Sequence, residues 1–344
     1  AGLFLAKLIA KNKDLQIYIF EKNSKPGFKI KASGGGKANI FNTHISGECY
    51  NNSAFIADLL SRVTPQTIAR EFENMGLRMS TDEEGRVYPA TFFSQTVLDV
   101  LLENPPPNVH FEYDYIVLKF VKINNYFKIN NLEIKFDKLI WATGSPAGVI
   151  AKNRIDIGDC LTDFKIQKNE FQPSLVGFKL LKYPKSLSGC RCKARCSLFQ
   201  KQQLIYSETG EITFKDDGVS GIVILNLSAY YNRLEDKGNC SIHFDLIPDD
   251  PDYDEHRHWQ QFNSFKGLIH PKLVQYYERN PFSIKNLKFD IKGVYDFEFA
   301  QVCHGGIKVE EIDKNFELKK LKNVYVLGEM LDIDGLCGGY NLFF

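Results

Sequence analysis

A chain of 344 residues with 44% hydrophobic and 25% charged residues has room for two or three packed units and the composition of an ordinary globular fold. Its formal net charge of +1 offers no bulk attraction to nucleic acid or to an anionic membrane. No apolar run reaches the ~18 residues of a membrane-spanning helix, and the first residues carry no signal-peptide pattern. The eight cysteines are irregularly spaced, with Cys190, Cys192 and Cys196 crowded together, which is no disulfide framework; a reduced, cytoplasmic protein is expected.

Residues 1–12 are expected to form a helix, and Leu15 to Phe20 a strand ending at Glu21. In dinucleotide-binding βαβ units the third glycine of G-x-G-x-x-G opens the helix. An acid about twenty residues on, at the end of the second strand, takes the ribose hydroxyls. Gly2 and Glu21 have that spacing, although any amphipathic helix followed by a strand ending in glutamate would match. The run opens without a preceding strand, so the true N-terminus is expected upstream of Ala1.

Next comes Lys29-Ile-Lys-Ala-Ser-Gly-Gly-Gly-Lys-Ala-Asn-Ile-Phe-Asn42. Gly34, Gly35 and Gly36 free the backbone N–H groups, Lys37 adds charge, and Ser33, Asn39 and Asn42 add polar anchors. This set suits a loop wrapped around a phosphate-bearing ligand. A flexible linker is the alternative; the apolar Ile30, Ile40 and Phe41 count against it.

A helix is expected over 53–75, a turn and short strand over Asp82 to Pro89, and a helix capped by Ser94 through Leu102. Arg86 could hold an anion or lie solvated. Residues 108–140 read as a β-meander, with runs at Val109 to Tyr113, Ile116 to Ile123, Tyr126 to Ile129 and Ile134 to Phe136 separated by Asn-rich turns. The meander leads into Lys138-Leu-Ile-Trp-Ala142-Thr143-Gly144. A strand ending in Ala-Thr-Gly at this point is a second signature of two-dinucleotide-binding flavoproteins.

From about 146 to 300 the character changes. Residues 175–247 alternate in β fashion, including Gly218 to Leu225, and helical stretches fall near 254–264 and 271–279. No second G-x-G-x-x-G appears, so no separate nicotinamide-binding unit is evident. The block is expected to be an insert that covers a cofactor and supplies a substrate pocket. The chain then returns through Ala300 to Glu311 to Tyr325-Val-Leu-Gly-Glu-Met-Leu-Asp-Ile-Asp-Gly-Leu-Cys-Gly-Gly-Tyr-Asn341. Here a buried strand ends in Gly328-Glu329, followed by Asp332, Asp334 and Gly338-Gly339. A carboxylate at a strand end can accept from polyol hydroxyls, and glycines at a helix start let N–H groups approach an electron-rich ring.

The expected architecture is α/β. It comprises a Rossmann-like dinucleotide-binding domain (1–147 and 300–344), which the family resemblance given below implies to be an FAD-binding domain of glutathione-reductase type, an inserted β-rich domain (148–250 with 281–299) and a small helical subdomain (251–280). His304 and Cys337 are the titratable candidates near the cofactor; a strand-end histidine and a small packing residue are the bland readings of each. Cys190, Cys192 and Cys196 with His243 invite a zinc reading, but Cys-x-Cys-x-x-x-Cys is not a usual ligand spacing. No metal site is expected.

Taken together the motifs resemble the bacterial BaiN-like or aminoacetone-oxidase-like NAD(P)/FAD-dependent oxidoreductases. The resemblance rests on Ser33-Gly-Gly-Gly-Lys-Ala-Asn39 with Asn42, Gly85-Arg-Val-Tyr-Pro89, Gly218-Val-Ser-Gly-Ile222, Val302-Cys-His-Gly-Gly-Ile307 and the complete closing run from Gly328 to Asn341. Departures are Lys37-Ala38 in place of Arg-Cys, Cys303-His304 in place of Thr and a small residue, Ile222 in place of proline, and the lack of the usual run after Gly144. The helix that usually follows Gly-Gly-Tyr-Asn stops at Phe344, which again points to a longer chain.

The resemblance implies FAD. It places Gly2 at the pyrophosphate helix, Glu21 on the adenosine ribose and Val117 beside the adenine. Ser33, Gly34, Gly35, Gly36 and Lys37 would line the pyrophosphate and flavin, with Lys29, Asn39 and, at the returning strand end, Ala142, Thr143 and Gly144 also in the cofactor-binding set. Glu329 would reach the ribitol, Gly328 and Asp334 would belong to the cofactor-binding set, and Gly338, Gly339, Tyr340 and Asn341 would approach the flavin pyrimidine edge. The expected function is hydride transfer between a small organic substrate and flavin N5, with NAD(P)H as partner and no nucleic acid. The alternative is a flavin-binding redox sensor or accessory protein without small-metabolite turnover.

Overall fold

The computed structural model describes residues 1–148 and 164–344. They divide into a first unit, Ala1–Phe171 with His304–Phe344, and a second, Gln172–Cys303. Among the described residues no helix is long and apolar enough to cross a membrane.

In the first unit, the helix Gly2–Ile9 leads to the strand Ile17–Phe20, which pairs in parallel with Val109–Glu112. A second parallel pair joins Leu139–Trp141 to Val324–Val326. The meander expected over 108–140 is therefore corrected. Its first strand, half-buried with alternating apolar residues, pairs in parallel with the half-buried Ile17–Phe20, since alternation marks a strand with one better-covered face and does not specify its partner. Up-and-down pairing is confined to the hairpin Phe120–Ile123/Tyr126–Ile129 and a bridge between Phe127 and Phe136.

The helix expected over 53–75 is two, Ser53–Arg62 and Pro65–Asn74. Proline cannot donate to the preceding turn, and the Thr64 side chain accepts from the backbone N–H of Thr67, so a new helix starts there. Ser94 begins its helix but does not cap it; its hydroxyl donates to the carbonyl of Lys31. The strands Phe41–Asn42, Arg86–Pro89 and Met79–Thr81 form a small antiparallel sheet beside this region.

The second unit is a closed antiparallel barrel of six strands. Around the ring they are Phe178–Leu180, Gly218–Ser220, Gln203–Phe214, Arg191–Gln200, Cys240–Asp245 and Leu287–Val294, and the last pairs with the first. Ala194, Cys196 and Leu198 alternate inward and are fully buried with Ile212 and Phe214. The β reading of Gly218 to Leu225 is corrected at its second half, since Ile222–Asn232 is a helix. It is buried on nearly every side, so the apolar run has no amphipathic period to betray it. The helices Glu255–Phe262 and Pro271–Arg279 follow, and Leu273 and Val274 join the barrel's core. His243 pairs opposite Ser197 and bonds Ser241 and Asn286, on the face away from the buried Cys196.

Candidate functional site

The helix Gly2–Ile9 starts at the carboxyl ends of the strands Leu139–Trp141 and Val324–Val326. A Cβ built on Gly2 would stand 3.3 Å from the Cβ of Ala142, so helix and strand end approach as closely as a glycine permits. Gly144 and Gly328 take left-handed φ of 72° and 63°, which keep the two strand ends turning beneath the helix start. Lys29 Nζ lies 2.5 Å from Glu329 Oε2 and 3.0 Å from both the carbonyl and the hydroxyl of Ser145. A Cβ on Gly144 would sit 3.5 Å from that Glu329 oxygen and 3.7 Å from Lys29 Nζ. Gly2, Lys29, Ala142, Gly144, Gly328 and Glu329 thus converge, while Thr143 turns its hydroxyl to Met330 Sδ.

Glu21 follows the strand Ile17–Phe20, and its Oε1 accepts from both the backbone and side-chain nitrogens of Asn23. Val117 is half-buried in an extended segment held by Asn130, whose amide accepts from Leu118 and Lys119 and donates to the carbonyl of Ile116. These two candidates are ordered by their own local partners.

In the glycine loop, Gly34, Gly35 and Gly36 all have positive φ. A Cβ on Gly35 or Gly36 would meet nothing within 4 Å, so the loop presents bare backbone to open space. Ser33 spends its hydroxyl on the carbonyl of Ile30, and Lys37 is exposed. Asn39 is different: its Oδ1 is buried and has no hydrogen-bond partner. A Cβ on Gly339 would fall 2.5 Å from that oxygen, so the closing loop passes directly over it.

The closing loop is stapled down. Asn42 Nδ2 donates to the carbonyl of Gly338, the Tyr50 hydroxyl to that of Tyr340, and the backbone N–H of Leu336 to that of Cys49. Burial pushes the Tyr50 phenol up, which keeps it a donor. Asn341 bonds Gly335 and Leu336 across the loop, so it braces the turn. Cys337 is half-buried in the same turn.

Two buried carboxylates sit at the loop's start. Asp332 accepts from Asn51 Nδ2 (3.1 Å), the backbone of Gly305 (3.1 Å) and Asn169 Nδ2 (2.7 Å). Asp334 Oδ1 lies 2.8 Å from His304 Nδ1. Ligand-type atoms of His304, Asp332 and Asp334 lie within 4.8 Å of one another, a grouping that suits a cation. However, N–H donors fill the lone pairs of Asp332, and His304 Nδ1 is directed at Asp334, so the group is a hydrogen-bonded network. Asn51, Asn52 and Asn169, which hold this network, were not singled out from the sequence; the Asn-Asn pair before a helix was the one available signal.

Comparisons with known proteins give the chain its family. The chain is 23% identical to the 3-dehydro-bile acid delta(4,6)-reductase of Clostridium scindens, over 96% of this chain and 90% of that protein. It is 24% identical to the ribosomal RNA dihydrouridine synthases of Escherichia coli and Haemophilus influenzae, over 99% of this chain and 92% of each. Mycobacterium smegmatis Sdh1 in complex with UQ1 aligns at TM-score 0.43 and 13% identity, over 99% of this chain and 64% of that one; so slight a likeness carries no argument. The HI0933-like protein Rossmann domain matches residues 1–344, and the chain belongs to that family of BaiN-like flavoproteins.

Proposed function

We propose that this chain is an FAD-dependent reductase of carbon–carbon double bonds conjugated to a carbonyl, with NAD(P)H as the electron source. The observation that carries FAD is the convergence of Gly2, Ala142, Gly144 and Gly328 around the Lys29–Glu329 pair, a cradle that a Cβ would fill. The unpartnered Asn39 Oδ1 supports it, because a buried amide oxygen calls for an N–H donor and the pyrimidine edge of a flavin offers one.

When bound, FAD supplies a two-electron hydride centre at N5. The chain's own residues bind and orient. The N-terminus of Gly2–Ile9 favours the pyrophosphate charge. Glu21 stands at the strand end where a ribose is read, and Val117 lies in the neighbouring segment. Lys29 and Glu329 would offer one donor and one acceptor to a polyol, and Gly34 to Lys37 with Asn39 and Gly338 to Asn341 would hold the ring.

The reaction class comes from two relatives. A 3-keto bile acid with 4,6 unsaturation and a uracil base share one feature, a C=C conjugated to C=O. Of these acceptors the small ketone is favoured here, because a net charge of +1 adds no long-range attraction toward RNA. The test is an anaerobic visible spectrum of the FAD-loaded chain, titrated with NADH or NADPH and then with 2-cyclohexen-1-one or a 4-ene-3-ketosteroid. Bleaching by a nicotinamide and recovery with a conjugated ketone is expected. Flavin that never binds would refute the cofactor; flavin that bleaches but recovers only with oxygen would refute the acceptor class and favour a redox sensor.

A further inference from the structure

We propose that Cys190 and Cys192 of the barrel are a reversible modification site, a dithiol that a small peroxide oxidises to a disulfide. The site lies wholly within the second unit and does not depend on the reductase reading.

The two cysteines stand two residues apart where the strand Arg191–Gln200 begins, so they share its inward face with Ala194, Cys196 and Leu198. Their side chains meet: the two thiols are hydrogen-bonded to each other. Cys190 is fully buried and Cys192 half-buried, so the pair approaches the surface on the Cys192 side. The backbone beneath them is pinned. The N–H of Cys190 donates to the carbonyl of Leu187 (2.9 Å), its carbonyl accepts from the N–H of Phe214 (2.9 Å), and Cys192 pairs opposite Ile212.

A cation is held beside Cys190. Lys272, in the first turn of the helix Pro271–Arg279, donates through Nζ to the carbonyl of Ser188, and a Cβ on Gly189 would stand 3.7 Å from that nitrogen. The hydrogen bond from Cys192 and the Lys272 charge bring the Cys190 thiol below its ordinary 9.0, against the opposing pull of burial. The same hydrogen bond, together with burial, pushes Cys192 up. The pair thus shares one proton, and Cys190 is the sulfur that carries the negative charge. Cys196 is the contrast: it lies on the same face, but burial dominates there and pushes its thiol up. Burial makes a cysteine inert, and the added thiol and ammonium are what make Cys190 a nucleophile.

The oxidant is hydrogen peroxide or a small organic hydroperoxide. The Cys190 thiolate attacks one peroxide oxygen, the O–O bond breaks, and the leaving hydroxide (or alkoxide) takes a proton from water. Cys190 is then a sulfenic acid. The Cys192 sulfur attacks it, the S–O bond breaks, and the departing hydroxyl leaves as water with the Cys192 proton. Two electrons have passed from the sulfurs to the peroxide. Residues i and i+2 of a strand have Cα atoms about 6.7 Å apart, the long end of what a disulfide spans. The bridge is therefore strained and readily reduced by a thiol such as glutathione, which suits a switch and not a permanent staple.

The experiment treats the full chain with a small excess of hydrogen peroxide, blocks the remaining thiols with iodoacetamide and digests with trypsin for mass spectrometry. Trypsin cuts after Lys185, Arg191 and Lys193, so it separates the two cysteines. The bridge is expected to join peptide 186–191 to the dipeptide 192–193, or, where Arg191 stays uncut, to leave 186–193 lighter by two hydrogens. Dithiothreitol should reverse either product. Cys196→Ser should give the same bridge at the same rate, and Cys192→Ser should stop at a Cys190 sulfenic acid that dimedone traps. Lys272→Met, shown folded by circular dichroism, should oxidise about tenfold more slowly. Cys49 and Cys337 are the other half-buried thiols among the described residues. Their consumption before Cys190 would overturn the proposal, as would a bridge from Cys192 to Cys196 or a folded Lys272→Met that oxidises at the wild-type rate.

Discussion

An amide oxygen buried without a donor costs about 1–3 kcal/mol, and Asn39 carries that cost at Oδ1. The residue is thus badly chosen for stability and well chosen for a ligand that brings an N–H. Asn39→Leu separates the two. The FAD-free variant should melt no lower than wild type, because the orphaned oxygen is gone, while FAD binding weakens about tenfold, the loss of one hydrogen bond. Thermal melts without FAD and a fluorescence titration with it check both halves. Sequence legibility at this scale was uneven. Gly2, Lys29, Gly144, Gly328 and Glu329 were found by type and spacing, and they do meet. Ser33 and Asn341 share the same motifs, yet their side chains serve Ile30, Gly335 and Leu336. Spacing reveals which residues a loop contains, not which way each one turns.

Within the barrel, the strand Cys240–Asp245 carries a pH-sensitive contact. Burial lowers the basicity of His243, Asn286 raises it, and Lys288 and Asp290 oppose each other; the net shift is downward from the ordinary 6.5. A histidine whose folded value is depressed binds its proton more readily when unfolded. Its stabilising contribution is complete above pH 6.5 and is lost as pH falls from there toward the lower folded value. Urea midpoints should therefore drop between pH about 7 and pH about 5, and His243→Gln should flatten that drop. Elements were legible where the period was clean, as in Arg191–Gln200, and lost where burial removed it, as in Ile222–Asn232. Val109–Glu112 shows the other limit: its alternation marked a strand, but pairing to Ile17–Phe20 is a long-range fact that no local pattern carries.

For the molecule as a whole, 43 basic and 42 acidic residues leave almost no net charge to gather a polyanion. Turnover of a small conjugated ketone should change less than about twofold between low and moderate salt, whereas an RNA acceptor that used several phosphate contacts would lose affinity by about a thousandfold or more. Steady-state rates across a potassium chloride series, with 2-cyclohexen-1-one and then with a uridine-containing RNA, distinguish them. The closed ring of strands carries a kinetic consequence. It is sealed where Phe178 pairs with Val294, residues more than a hundred positions apart, and the hairpin Arg191–Gln200/Gln203–Phe214 can form long before that seam. Until the seam closes, Phe178–Leu180 and Leu287–Val294 each expose an unpaired edge. Synthesis from the N-terminus leaves the first of these edges waiting for the second to emerge. The hazard for this chain in the cell is thus a brief nascent interval, open to chaperones and to neighbouring copies, that ends once the barrel has no edge left to offer.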